Sequence, residues 1–151
     1  MGSPENARIL YIEDDLGLAR LFQRKLRRVG YEVDIARDGE QGLSMYEAGA
    51  YHLLFVDHQM PGCSGLEVIR RLARNGPLPA TIMITGAGDE TVAVEAIKLG
   101  AIDYVIKDGN GRYFELIPSM IDRALAGQKL LEEKRRADEA LVESEARFKS
   151  L

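Results

Sequence analysis

The stretch LLFVDHQMPGCSGLEVIRRL, residues 53–72, carries the pattern that decides the fold. Its first four residues are apolar without a break, which is typical of a strand buried on both faces. Residues 64–67, SGLE, have the spacing of a capping box, in which a serine and a glutamate satisfy free backbone groups at the start of a helix. Leu66, Ile69 and Leu72 continue one apolar helix face. The stretch therefore predicts a buried strand, a loop and an amphipathic helix.

The same alternation occurs five times before residue 126. The other predicted strands are residues 9–12, 33–36, 81–84 and 104–106, and each precedes a helical pattern. Such alternation predicts an α/β domain with a parallel sheet and helices on both faces, because parallel strands need long crossovers.

The composition excludes several classes of protein. The chain has 151 residues, of which 46% are apolar and 29% charged, so it is a globular chain with room for one domain and a short appendage. No apolar run approaches the roughly 20 residues of a membrane span, so no membrane segment is expected. The net charge of −4 without a long basic patch argues against nucleic-acid binding. Cys63 is the only cysteine and no signal-peptide pattern is visible, which predicts a cytoplasmic location.

The four strongest predicted strands each end next to an acidic residue, a hydroxyl or a lysine. Glu13 and Asp14 follow the first strand, Asp57 the third, Thr85 the fourth and Lys107 the fifth. Ligands of open α/β sheets bind beyond the carboxyl ends of the strands. We therefore expect these five side chains at one edge of the sheet.

The chemistry of that edge points to phosphoryl transfer. Clustered carboxylates repel one another unless a cation lies among them, and Mg²⁺ suits an oxygen-rich site with few protein ligands. A carboxylate can attack phosphorus and form an aspartyl phosphate. Asp57 is the expected nucleophile because it stands alone after the predicted central strand, whereas Glu13 and Asp14 are better placed as metal ligands. Lys107 would supply positive charge and Thr85 a hydrogen bond.

These residues resemble the response-regulator receiver domains of two-component signalling, over about residues 8–126. In that family an acidic pair follows the first strand, as Glu13 and Asp14 do here. The phosphoacceptor begins the pattern Asp-x-x-x-Pro-x-x-x-Gly, which residues 57–65 match in full. A threonine or serine follows the fourth strand, an aromatic switch residue lies in the fifth and a lysine follows it. Those positions are matched by Thr85, Tyr104 and Lys107.

The resemblance implies a flavodoxin-like, doubly wound (βα)₅ fold with a five-stranded parallel sheet. It also implies that a partner histidine kinase or phosphotransfer protein phosphorylates Asp57, with Mg²⁺ as cofactor and the backbone carbonyl of Gln59 as a further ligand. Thr85 and Tyr104 would form the switch. The family usually has proline after the lysine, joined by a cis bond, but Asp108 stands there. A cis bond without proline costs roughly 3–4 kcal/mol, so a trans bond is expected.

Other functions remain open from the sequence. An aspartyl-phosphate phosphatase would carry a second aspartate two residues after the nucleophile, where Gln59 stands. A flavin module on the same fold would need a first loop that binds phosphate, which the acidic residues 13–15 would repel. A degenerate receiver kept only for dimerisation is the third alternative, and the intact acidic cluster argues against it.

The last 24 residues differ in composition from the rest. Residues 128–151 contain no glycine or proline, and positions 130, 134, 137, 141, 144, 148 and 151 have heptad spacing, with lysine and serine among them. We expect one helix to continue through Gly127 to about Phe148, because a single glycine costs only about 1 kcal/mol. The segment is either a solvated tail or a connector that pairs with its copy in a homodimer and leads to a further domain.

Residues 139–148 resemble the linker helix that enters a PAS sensor domain. The expected organisation is a receiver domain over residues 8–127 and a helical linker over 128–151. This organisation suggests the N-terminal part of a larger receiver–PAS protein whose output is a histidine kinase or another enzyme.

Overall fold

The computed structural model describes residues 7–149, with side chains through residue 147. The predicted heptad positions Phe148 and Leu151 therefore lie outside the described side chains. Five strands alternate with five helices, as the sequence predicts. The strands are β1 (Arg8–Ile12), β2 (Glu32–Ala36), β3 (Leu53–Asp57), β4 (Thr81–Gly86) and β5 (Asp103–Lys107). The helices are α1 (Leu16–Arg28), α2 (Gly39–Ala48), α3 (Gly65–Arg74), α4 (Glu90–Leu99) and α5 (Tyr113–Lys149).

The strands form one parallel sheet in the order β2-β1-β3-β4-β5, so β3 is central. Helices cover both faces, which confirms the predicted doubly wound architecture. Side chains of α1 and α5 pack on one face, which we call the α1/α5 face. Side chains of α2, α3 and α4 pack on the other, which we call the α3/α4 face.

Alternation along each strand assigns every side chain to one of these faces. The strand residues that lie in the core with α1 and α5 are Ile9, Tyr11, Val33, Leu53, Phe55, Ile82, Ile84 and Val105. Two residues further along, the same alternation places Glu13, Asp57 and Lys107 on the α1/α5 face. Thr85 follows Met83 in the same way, and Met83 packs on the α3/α4 face. The predicted site residues are thus divided between the two faces.

Short polar side chains begin the first three helices. Asp15 accepts a hydrogen bond from the amide of Leu18 at 3.1 Å, and Asp38 accepts one from Gln41 at 2.8 Å. The Ser64 hydroxyl accepts one from the amide of Glu67 at 3.2 Å, as the capping-box spacing predicts. The caps of α1 and α2 start these helices shortly after a strand end, whereas the longer loop that holds residues 58–64 separates β3 from α3.

Helix α5 continues without a break for 37 residues to Lys149, in agreement with the prediction. It begins at Tyr113, so that Pro118 lies inside the helix, beyond its first turn. Among residues 7–149, no helix is both long and apolar enough to cross a bilayer.

Candidate functional site

Four predicted site residues meet at the carboxyl edge of the sheet. Glu13, Asp14 and Asp57 each offer a carboxylate oxygen, and these oxygens lie within 4.8 Å of one another. The Lys107 Nζ atom lies 2.8 Å from Glu13 Oε1 and 3.5 Å from Asp57 Oδ1. The order of the strands explains this meeting, since β1 and β3 are neighbours and Lys107 reaches across β4.

Lys107 reaches the carboxylates although Asp108 replaces the proline that usually follows it. No peptide bond in the described chain is cis, so the Lys107–Asp108 bond is trans, as expected. The Asp108 carboxylate accepts a hydrogen bond from the amide of Tyr113 at 3.4 Å, and its carbonyl accepts one from Gly111 at 3.3 Å. Asp108 therefore organises the loop into α5 by polar contacts.

Burial makes the cluster electrostatically demanding. Glu13 is fully buried, Asp57 is 4% exposed, and Asp14 faces solvent. Burial, followed by the neighbouring Asp57, raises the pKa of Glu13 to about 8 despite the opposing effect of Lys107. Burial acts to lower the pKa of Lys107, but its hydrogen bond to Glu13 and the charge of Asp57 outweigh it and raise the pKa. One ammonium group is too little positive charge for three carboxylates.

The donor set fits a hard divalent cation. All three groups are carboxylates, and Mg²⁺ prefers oxygen ligands while keeping several waters. Within the described chain, Glu13 Oε2 is buried and has no hydrogen-bond partner, so the cluster still lacks a positive or donor group. The exposed Asp14 leaves the cluster open to solvent on one side.

Thr85 and Tyr104 lie on the opposite face of the sheet edge from Lys107. Thr85 is 1% exposed and is paired with Ile106 of β5, whereas Tyr104 is paired with Met83. Because Met83 and Thr85 are two residues apart on β4, Thr85 and Tyr104 are diagonal neighbours on the α3/α4 face. Tyr104 is 41% exposed, so its ring lies at the surface.

The glycine that closes the 57–65 pattern has a packing role. A Cβ atom on Gly65 would lie 2.3 Å from the carbonyl oxygen of Asp57. The amide of Gly65 donates to the carbonyl of His58 at 3.1 Å, so the start of α3 rests directly on the end of β3. Only glycine allows this approach, which keeps the backbone of Asp57 in place.

The side chain of Gln59 points to the rim of the site. It is exposed, and its amide donates to Asp89 Oδ2 at 3.3 Å. Ligation of a metal by its backbone carbonyl stays a prediction from the family pattern.

Two tyrosines near the site were missed by sequence reasoning. Tyr11 lies two residues before Glu13 on the same strand face, and Tyr113 begins α5. Both side chains are buried in the α1/α5 core. The spacing of Tyr11 from Glu13 could have indicated the first of them, but no local signal places Tyr113, which reaches the sheet only through tertiary packing.

The strand order is that of a doubly wound α/β domain. Acidic residues at the ends of β1 and β3, with a lysine at the end of β5, are typical of the domains in this class that accept a phosphoryl group on an aspartate. The pattern of the response regulator receiver domain family matches residues 9–115. The chain belongs to this family of phosphoacceptor signalling domains of two-component systems.

Relatives and solved structures agree with that assignment. The uncharacterized transcriptional regulatory protein YkoG of Bacillus subtilis is 38% identical over 103 residues, which are 68% of this chain and 45% of that protein. A receiver domain from Clostridium thermocellum superposes with a TM-score of 0.73 at 29% identity, over 83% of this chain and 98% of that one. The structure of response regulator TrrA of Thermotoga maritima, in complex with Mg²⁺ and BeF, superposes with a TM-score of 0.69 at 30% identity. The superposition covers 78% of this chain and 98% of TrrA. The chain spans less than half of the length of YkoG.

Proposed function

We propose that Asp57 accepts a phosphoryl group from a phosphohistidine of a partner histidine kinase or phosphotransfer protein. A carboxylate oxygen of Asp57 attacks phosphorus, the P–N bond of the donor breaks, and an aspartyl phosphate forms. Water later hydrolyses the acyl phosphate and regenerates the carboxylate. The main support for this proposal is the position of Asp57, which is 4% exposed and lies 3.5 Å from the Lys107 ammonium. Carboxylate oxygens of Glu13 and Asp14 lie beside it.

Mg²⁺ is the cofactor that this cluster fits. The carboxylates of Glu13, Asp14 and Asp57 and the carbonyl of Gln59 would hold the ion, which supplies the positive charge that the transferred group needs. The TrrA structure, which is a complex with Mg²⁺ and BeF, supports this choice by family relationship. Asp14→Asn should weaken Mg²⁺ binding markedly and slow phosphorylation, and unchanged binding would place the metal elsewhere.

Lys107 and Thr85 act on the oxygens of the phosphoryl group. The Lys107 ammonium, now 2.8 Å from Glu13, is free to turn toward a phosphoryl oxygen because it lies 3.5 Å from Asp57 and is part-exposed. The Thr85 hydroxyl donates from the next strand, since Asp57 is paired with the preceding residue, Ile84.

The signal leaves the site through Thr85 and Tyr104. When the Thr85 hydroxyl turns toward the phosphoryl group, it vacates space into which the exposed Tyr104 ring can rotate. This rotation changes the surface of α4, β5 and α5, where Val94, Ile106 and Leu116 are exposed. The phosphoryl group must favour one arrangement by a few kcal/mol for this shift to matter.

The domain ends near residue 127, and residues 128–151 form the linker. Beyond Gln128 the described side chains of α5 are mostly solvent-exposed, with Leu130 68% and Leu141 60% exposed. A second copy of the helix would cover these leucines in a homodimer. The paired helices would then lead into a following domain, which the resemblance of residues 139–148 suggests is of PAS type. A histidine kinase or another enzyme would then provide the output of the whole protein.

The cytoplasmic location and the absence of nucleic-acid and membrane binding stay predictions from the sequence.

The experiment that tests the proposal is phosphorylation with a small phosphodonor. Incubation with acetyl phosphate and Mg²⁺ should add one phosphoryl mass to the chain, and Asp57→Asn should abolish the addition. Asp138→Asn, which removes an exposed carboxylate from the distal part of α5, is the control and should be labelled normally. Normal labelling of Asp57→Asn would reject the assignment.

The same assay separates the alternative functions. A phosphatase would release many equivalents of phosphate from phosphomonoesters in a reaction that needs Asp57. A degenerate receiver would take up no phosphoryl group, whereas a functional receiver takes up a single equivalent.

A further inference from the structure

The start of α4 differs from the starts of the first three helices. At α1, α2 and α3 the residue before the helix has an extended backbone, and its side chain accepts a hydrogen bond from a first-turn amide. Asp89 holds the same position before α4, but its carboxylate makes no such bond. Its backbone, with a φ of −100° and a ψ of 36°, also lies outside the extended region that a capping residue adopts. Helix α4 therefore begins without a side-chain cap, although an aspartate stands at the capping position.

The Asp89 carboxylate is bound instead to the loop that follows Asp57. The side-chain amide of Gln59 donates to Asp89 Oδ2 at a distance of 3.3 Å. Gln59 belongs to the loop between β3 and α3, whereas Asp89 ends the loop between β4 and α4. Because β3 and β4 are paired neighbours, this bond joins two adjacent loops at the carboxyl edge of the sheet.

Gly86 leaves the space that this contact occupies. A Cβ atom on Gly86 would lie 3.3 Å from Gln59 Nε2 and 3.6 Å from Asp89 Oδ2, and the first distance is closer than is usual for a Cβ atom. Gly86 does not have a positive φ, so its backbone conformation does not require glycine. The amide of Asp89 donates to the Gly86 carbonyl at 3.2 Å, which folds the loop back toward the strand end. The loop is thus shaped around the contact between the two side chains.

The bond to Gln59 and the capping of α4 exclude each other. A cap at Asp89 needs an extended backbone and a carboxylate that accepts from the amide of Thr91 or Val92, the second and third residues of the helix. The observed backbone directs the carboxylate to Gln59 instead. Gln59 is exposed and Asp89 is half-buried, so water can replace either partner when the bond breaks. The Asp89 carboxylate therefore has two alternative partners, one in each loop state.

We propose that Gln59 and Asp89 form a latch that holds the Asp89 carboxylate away from α4, and that displacement of Gln59 lets this carboxylate cap the helix. The backbone carbonyl of Gln59 is a proposed ligand of Mg²⁺, so the link to the metal rests on the proposed function. Ligation draws residue 59 toward the acidic cluster and opens the latch. Gln59 and Asp89 are then positioning residues that connect the metal site to α4, one of the elements whose surface changes in the proposed switch.

The first test measures amide hydrogen exchange by NMR in the metal-free full chain and in Gln59→Ala. Loss of the side-chain amide frees the Asp89 carboxylate to cap α4. The amides of Thr91 and Val92 should then exchange about three- to tenfold more slowly, as expected when a helix gains a cap. Unchanged or faster exchange at both amides would overturn the proposal.

Two further variants make this result specific. Gln41→Ala is the matched control, because it also loses a glutamine hydrogen bond, from the amide of Arg37 at 2.6 Å, but lies on α2. It should leave exchange in α4 unchanged. In the Asp89→Ala background, Gln59→Ala should have no effect on α4, because no carboxylate remains to cap the helix. The same slowing in that double variant would reject Asp89 as the cap.

The second test adds saturating Mg²⁺ to the full chain. Exchange at the amides of Thr91 and Val92 should slow by a similar factor in the parent and stay unchanged in Asp89→Ala, while calorimetry on the same samples measures the binding itself. If Mg²⁺ binds but exchange in α4 does not change, the link between the metal site and the latch is rejected. If no Mg²⁺ binds, the proposed function fails, whereas the metal-free Gln59→Ala comparison still decides whether the latch exists.

Discussion

The two faces of the sheet carry different parts of the site. On the α1/α5 face, Glu13, Asp57 and Lys107 are tied together by contacts of 2.8 and 3.5 Å in a largely buried cluster. On the α3/α4 face, Thr85 is buried but Tyr104 is 41% exposed, and its neighbour Ile106 is 40% exposed. The difference teaches that the charged groups are held in place by a packed core, whereas the proposed switch residue Tyr104 lies on an edge strand that helices leave partly uncovered.

The largest expected effect comes from removing the ammonium group on the α1/α5 face. Lys107→Ala leaves Glu13 and Asp57 buried without their cation and removes the charge that we propose stabilises the transferred oxygens. Phosphorylation by acetyl phosphate should slow by about 100-fold or more. Lys98→Ala, which removes an exposed lysine from α4, should leave the rate unchanged. A parental rate in Lys107→Ala would mean that this face does not carry the chemistry.

A glycine substitution tests how closely the α3/α4 face is packed under the site. The added Cβ of Gly65→Ala would lie 2.3 Å from the carbonyl oxygen of Asp57, so the free energy of unfolding should fall by about 1–3 kcal/mol or more. Gly127→Ala is the control, since no atom lies within 4 Å of its added Cβ and alanine favours a helix. Its stability should rise by up to about 1 kcal/mol. Urea denaturation measures both, and equal stability of the two variants would contradict the packing argument.

Thr85→Ala should separate transmission from chemistry. The variant keeps Asp57, Lys107 and the acidic pair, so it should still accept the phosphoryl group, with a moderate change in rate. The Tyr104 ring should then respond less to phosphorylation, because no hydroxyl moves out of its way. NMR spectra of labelled tyrosine, recorded with and without beryllofluoride, measure this response. A parental shift of Tyr104 in Thr85→Ala would exclude this route.

The smallest expected effect concerns the part of α5 that leaves the α1/α5 face. Up to about Leu125 the helix is held by the core, and beyond it Leu130, Leu131 and Leu141 are exposed. A second copy would cover them, but Lys134 lies on the heptad seam, so the dimer should be weak. Sedimentation should show association of the full chain at high concentration and none for a chain ending at Gly127. Monomers in both cases would leave the tail as a solvated linker.

The sequence alone determined the elements and the residues of the edge. Unbroken apolar runs, capping residues and glycine stops are local signals, so the five strands and five helices were predictable to within a few residues. The residues after each strand then followed from the rule that ligands bind at the carboxyl edge. The continuation of α5 to its C-terminal end was also predictable, since beyond Pro118 only Gly127 interrupts its helical pattern.

Only the tertiary structure decided how those residues are arranged. The position of Lys107 beside Glu13 depends on the order of the strands and on packing between distant segments. Lys107 takes this position although Asp108 replaces the usual proline. The start of α5 at Tyr113, which places Pro118 inside the helix, follows from contacts of the loop with Asp108 and of the ring with the core. The packing of Tyr11 and Tyr113 in one core has the same origin, because the two residues are about one hundred positions apart in sequence and meet only in the folded chain.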